Sequence, residues 1–85
     1  MMEIRLRFFA SIRERLRRTE ATCTAVDGVT VGELLDQLCR EYPPLVDVRR
    51  SLTVAVNREY VDNSHVVRDG DEVALIPPVS GGLNG

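Results

Sequence analysis

The 85-residue sequence contains no lysine, and all eleven basic residues are arginine. A glycine-rich phosphate loop that ends in lysine is therefore absent, and ATP chemistry of that kind would have to come from another protein. Codon usage alone would account for the bias. A functional reason also exists, because a chain whose own carboxylate becomes activated benefits from having no side-chain amine to intercept it. Histidine occurs once, as His65 beside Asn63 and Ser64. With no second histidine or cysteine nearby, it reads as a surface-loop residue and not as a metal ligand. Cys23 and Cys39 are too far apart for a Cys-x-x-Cys motif, and both are expected to be reduced packing residues in a cytoplasmic protein. No apolar run approaches the roughly 18 residues of a membrane span, and the N-terminus lacks the pattern of a signal peptide. Basic residues cluster only at Arg13, Arg15, Arg17 and Arg18, and the net charge is -2. These observations predict a solvated helix face, with neither nucleic acid nor membrane as a partner. No nucleophile stands with a plausible base, so the sequence offers no catalytic constellation of its own.

What is present is one small domain with clear periodicity. From Glu3 to Phe9 the chain alternates, with Ile4, Leu6 and Phe8 on one face and Glu3, Arg5 and Arg7 on the other, the mark of a half-buried strand. Ser11 and Glu14 have capping-box spacing and Ile12 and Leu16 are one turn apart, which predicts a short helix. Ala21 to Val26 is threonine-rich and closes at Asp27-Gly28, so two strands are expected to form a hairpin around that helix. The main helix has the clearest start, because Thr30 and Glu33 form a capping box with Val29 and Leu34 as its hydrophobic staple. Val31, Leu34, Leu35, Leu38 and Tyr42 then make one apolar stripe, and Pro43-Pro44 ends the helix. Thr53 to Asn57 alternates with Val54 and Val56 inward, Tyr60-Val61 is extended, and Asp69-Gly70 is a turn. Glu72 to Pro77 is the last strand, with Val73 and Leu75 on the core face and Ala74 and Ile76 on a second face that is not polar. This order predicts a two-layer α+β fold, one mixed sheet packed on a main helix, and at this size a β-grasp, ubiquitin-like roll. The domain is expected to span residues 1–78, with a flexible tail over residues 79–85.

The chain passes from the last strand into that tail through Pro77-Pro78-Val79-Ser80-Gly81-Gly82. The prolines favour an extended exit, giving about 18 Å of reach from Pro77 to Gly82 at ~3.1 Å per residue. Gly81 and Gly82 carry no Cβ, so they fit a narrow channel and accept whatever backbone angles another protein's site imposes. The domain reads as a handle and the tail as a substrate.

The chain resembles the ubiquitin-like sulfur carriers that act as small subunits of molybdopterin synthase, a group that also includes the thiamine-pathway carrier. The resemblance lies in Phe8-Phe9-Ala10 with Arg13-Glu14, the Thr30-Val31 helix start with Leu34 and Leu38, and Ala55-Val56-Asn57 with Tyr60-Val61. It continues through Gly70-Asp71-Glu72-Val73 and Ile76-Pro77-Pro78-Val79-Ser80-Gly81-Gly82. The resemblance implies that an E1-like adenylyltransferase uses ATP to activate the Gly82 carboxylate, with Gly81 supplying clearance. It further implies that a sulfur-delivering protein converts that group to a thiocarboxylate, and that the large synthase subunit takes the sulfur for the molybdopterin dithiolene. The chain itself is expected to bind no cofactor and no metal. Phe9, Ile76, Pro77, Pro78, Val79 and Ser80 are the expected partner-binding residues, although Phe9 could equally be a second core residue. Carriers for tRNA thiolation, thiamine or cysteine synthesis, and ubiquitin-like protein modifiers, share most of these features and remain alternatives.

One feature departs from that group, because Leu83-Asn84-Gly85 follow the second glycine. Three residues add roughly 10 Å at ~3.3 to 3.6 Å each, enough to overrun a site built for the Gly82 carboxylate. Either a protease trims them, or they are a foreign remnant, or the chain uses another chemistry. The expectation is that sulfur acceptance requires an exposed Gly82 carboxylate.

Overall fold

The N-terminal alternation produces the expected strand. In the computed structural model, which describes residues 1–78, β1 spans Met2–Phe8 with Met2, Ile4, Leu6 and Phe8 buried and the residues between them exposed. Residues 79–85 lie outside the described residues. A short helix α1, Ala10–Leu16, leads into β2, Glu20–Ala25, which pairs antiparallel with β1 from Met2↔Ala25 to Arg7↔Glu20. The hairpin around a helix is thus present, but Ser11 and Glu14 do not cap it. Phe9 is the N-cap, with φ -120° and no side-chain hydrogen bond. Its N–H donates to the Leu75 carbonyl at 3.3 Å, so the backbone stays extended through residue 9. The helix then starts at Ala10 and places Ser11 inside its first turn.

Helix α2, Val31–Glu41, has the predicted capping box. The Glu33 N–H donates to Thr30 Oγ1 at 3.2 Å, and Glu33 Oε1 accepts from the Thr30 N–H at 3.0 Å. Two further orphan amides of this terminus are satisfied from outside, Val31 N–H by the His65 carbonyl and Gly32 N–H by the Asn63 carbonyl, both at 2.9 Å. The approach at Gly32 is close, since a Cβ there would lie 3.3 Å from the Asn63 Cβ and would oblige Asn63 to shift slightly. Val31, Leu34, Leu35 and Leu38 are buried and Tyr42 is partly buried, so the apolar stripe faces the sheet. The helix stops before Pro43, but the chain then forms a 3-10 helix, Pro43–Ser51, that the aperiodic sequence did not suggest. Leu45 anchors it in the core, and Arg49 Nη2 donates to the Gly32 carbonyl at 2.9 Å while lying 2.7 Å from Asp36 Oδ1.

Strands β3, Thr53–Val56, β4, Glu59–Val61, and β5, Glu72–Ile76, complete one sheet in the order β2-β1-β5-β3-β4. The central strand β5 runs parallel to β1 and antiparallel to β3. The ends of β1 and β5 therefore lie together, with α1 beside the residues that lead into the tail. Ile4, Leu6, Ile12, Leu34, Leu38, Leu45, Val73 and Leu75 form the centre of the core between sheet and helices. This is the two-layer α+β arrangement that the element order predicts.

Candidate functional site

Strand register assembles a surface on the face of the sheet away from α2. Arg7 pairs with Ala74, Ala74 with Ala55 and Ala55 with Tyr60, so these four residues form one row across β1, β5, β3 and β4. Ala55 and Ala74 are buried although they face away from the core, because small side chains sit low between larger neighbours. The expected alternation of β3 is therefore not matched by alternating exposure. Phe9 and Ile76 stand beside this row toward the tail. The result is an apolar-floored groove of about 270 Å³, with Arg7, Arg58 and Glu72 among its lining residues.

Phe9 is 38% exposed and lies outside the core cluster, so the structure places it on this groove and not among the second-layer core residues. Ile76 is half-buried and also lines the groove, Pro77 is half-buried, and Pro78 is exposed. Val79, Ser80, Gly81 and Gly82 fall outside the described residues. Arg7 does more than form a rim, because its guanidinium carbon lies 5.6 Å from the Phe9 ring centroid and its Nη1 lies 3.6 Å from Glu72 Oε2. Tyr60 and Arg58 were not among the expected site residues. An exposed tyrosine in a half-apolar strand was the available signal for Tyr60, which is 76% exposed. Arg58 gave no signal, because its place on the groove depends on the register of β3 with β5.

Both cysteines are free thiols, Cys23 buried and Cys39 half-buried. Burial, followed by the nearby Glu41 carboxylate, pushes the Cys23 thiol up to about 11, which disfavours the reactive thiolate. Burial likewise raises Cys39, with Asp36 adding to the effect and Arg49 opposing it. His65 is exposed, and among the described residues no group of three or more His, Cys, Asp or Glu side chains could hold a metal. No helix among them is long and apolar enough to cross a membrane.

The family model described as the ThiS family matches residues 6–82. The chain belongs to the ThiS family. Within curated relatives, this ThiS-family chain is 40% identical over 83 residues to the molybdopterin synthase sulfur carrier subunit of Chlamydomonas reinhardtii, covering 95% of this chain and 100% of the relative. Its fold is similar to that of SAMP1 from Haloferax volcanii, with TM-score 0.82, 30% identity, and coverage of 94% and 99% of the two chains. It is also similar to a chain in the complex of subunits 1 and 2 of the molybdopterin-converting factor from Helicobacter pylori 26695. There the TM-score is 0.70 at 28% identity, covering 95% of this chain and 100% of that one. The ThiS-family fold seen here is thus the ubiquitin-like β-grasp that the sequence predicts.

Proposed function

We propose that this chain is the sulfur-carrying small subunit of a molybdopterin synthase, with the Gly82 carboxylate as the group that carries sulfur. The observation that carries this reading is the extent of the family match, which runs from β1 through Gly82. It therefore includes the double glycine as well as the fold that presents it. The named relative at 40% identity supports molybdopterin as the destination of the sulfur.

An E1-like adenylyltransferase supplies the ATP chemistry, since the lysine-free chain has no phosphate loop of its own. The Gly82 carboxylate displaces pyrophosphate from ATP to give an acyl adenylate. A persulfide on a delivering protein then displaces AMP to give an acyl disulfide, and a thiol of that protein cleaves the S–S bond, forming a disulfide there and leaving the thiocarboxylate on Gly82. In this reading Leu83-Asn84-Gly85 must be removed first, and the chain works in the cytoplasm, where thiols stay reduced. The groove beside Phe9 and Ile76 docks the large synthase subunit while the tail reaches that subunit's active site.

To test the destination, the form ending at Gly82 is thiocarboxylated with a heavy sulfur isotope and mixed with the large subunit and the molybdopterin precursor. The label is expected in the dithiolene of the product, and label that remains on Gly82 after turnover conditions would overturn the reading. A second reading is favoured by the 30% identity to SAMP1, whose full name in a related structure is small archaeal modifier protein 1. A modifier would instead pass its adenylated acyl carbon to a lysine amine with loss of AMP, so incubation of the form ending at Gly82 with the adenylyltransferase, ATP and cell proteins would show this chain covalently joined to another protein.

A further inference from the structure

The turn between β3 and β4 carries an arginine where the backbone favours glycine. Asn57 and Arg58 form a two-residue hairpin loop with φ values of 51° and 71°. Positive φ at both positions is the type I′ arrangement, for which Asn-Gly is the preferred pair. Asn57 suits its place, and its side chain fixes the turn. Its Nδ2 donates to Asp71 Oδ1 at 2.9 Å, and its Oδ1 accepts from the Glu72 N–H at 3.0 Å. Arg58 has no such local reason. Arg17 also adopts positive φ, at 56°, but it is the C-cap of α1, where a cation faces the negative end of the helix. Arg58 is exposed and, among the described residues, makes no ion pair or side-chain hydrogen bond.

Its position gives the side chain a use outside the chain. Arg58 lines the groove together with Arg7, and the one acidic residue there, Glu72, already lies beside Arg7. Glu59, the next residue in sequence, pairs with Val56 and so belongs to the opposite face of the sheet. The groove therefore presents a guanidinium with no ion pair among the described residues, on a turn that Asn57 ties to Asp71 and Glu72.

We propose that Arg58 is a partner-recognition residue, whose guanidinium pairs with a carboxylate on the protein that docks over the outer face of the sheet. This rests on the reading of that face as the docking site for the large synthase subunit. The planar fork of arginine matches a carboxylate bidentately, which an ammonium group cannot do. The backbone strain at φ 71° is retained because the interaction requires a side chain at that point.

The test compares the form ending at Gly82 with its Arg58→Gly and Arg58→Lys variants by thermal unfolding and by calorimetric titration with the large subunit at low and high salt. Arg58→Gly is expected to raise Tm by roughly 4 °C or more as the strain is relieved. It is expected to weaken binding about tenfold and to flatten the salt dependence, while Arg58→Lys keeps the salt dependence and loses part of the affinity. Unchanged affinity in Arg58→Gly overturns the proposal, whatever happens to Tm. Failure of the form ending at Gly82 with Arg58 in place to bind the large subunit would instead sink the functional reading, and this inference with it.

Discussion

Replacing Ile76 with aspartate is expected to weaken docking of the large subunit by about 100-fold or more, the scale of losing a central apolar anchor. Ile76 is half-buried at the end of the central strand, next to Phe9 and immediately before Pro77-Pro78. A docked protein would cover it fully, and a carboxylate there would be desolvated next to an apolar floor. Arg7 could not readily compensate, because it already lies 3.6 Å from Glu72 and over the Phe9 ring. The substitution should leave the fold intact, since Ile76 faces away from the core cluster and pairs at the sheet's end with Thr53. Titration calorimetry measures the loss and circular dichroism checks the fold. A folded Ile76→Asp variant that binds as well as wild type would remove this face from the docking site.

Leu38→Ala should have the largest effect on stability, about 2–5 kcal/mol, through lost burial and the cavity left behind. Leu38 is fully buried, and it is the third-turn position of the stripe by which α2 covers the sheet. The same helix is joined to the loop before β5 by its N-terminal hydrogen bonds. Against a total stability of ~4–13 kcal/mol for a chain of this size, such a loss is a large fraction. Denaturant unfolding should show a markedly lower midpoint. Val46→Ala is the matched control, because Val46 is exposed and its truncation should change little.

The parts of the fold legible in the sequence were those set by local pattern. The alternation from Glu3, the Thr30–Glu33 capping box and the stripe from Val31 to Tyr42 each lead directly to an observed element, because burial and capping there depend on near neighbours. The less legible parts depend on partners distant in sequence. Ser11 has the residue type and spacing of a cap, but the Phe9–Leu75 hydrogen bond decides where α1 begins. The Pro43–Ser51 helix has no apolar period and is held by Leu45 and Arg49 through contacts with the core and α2. The site follows the same division. Phe9 and Ile76 could be found from strand parity, whereas Arg58 and Tyr60 reach the groove only through the pairing of β3 with β4 and β5.

Sulfur acceptance by the Gly82 carboxylate is tested most directly by intact-protein mass. The 85-residue chain and a version ending at Gly82 are incubated separately with the E1-like adenylyltransferase, ATP and a sulfur source. The shorter form is predicted to gain the mass of one oxygen-for-sulfur exchange, and the longer form to gain nothing until Leu83-Asn84-Gly85 are removed. Equal conversion of both forms, or of neither, would contradict the account.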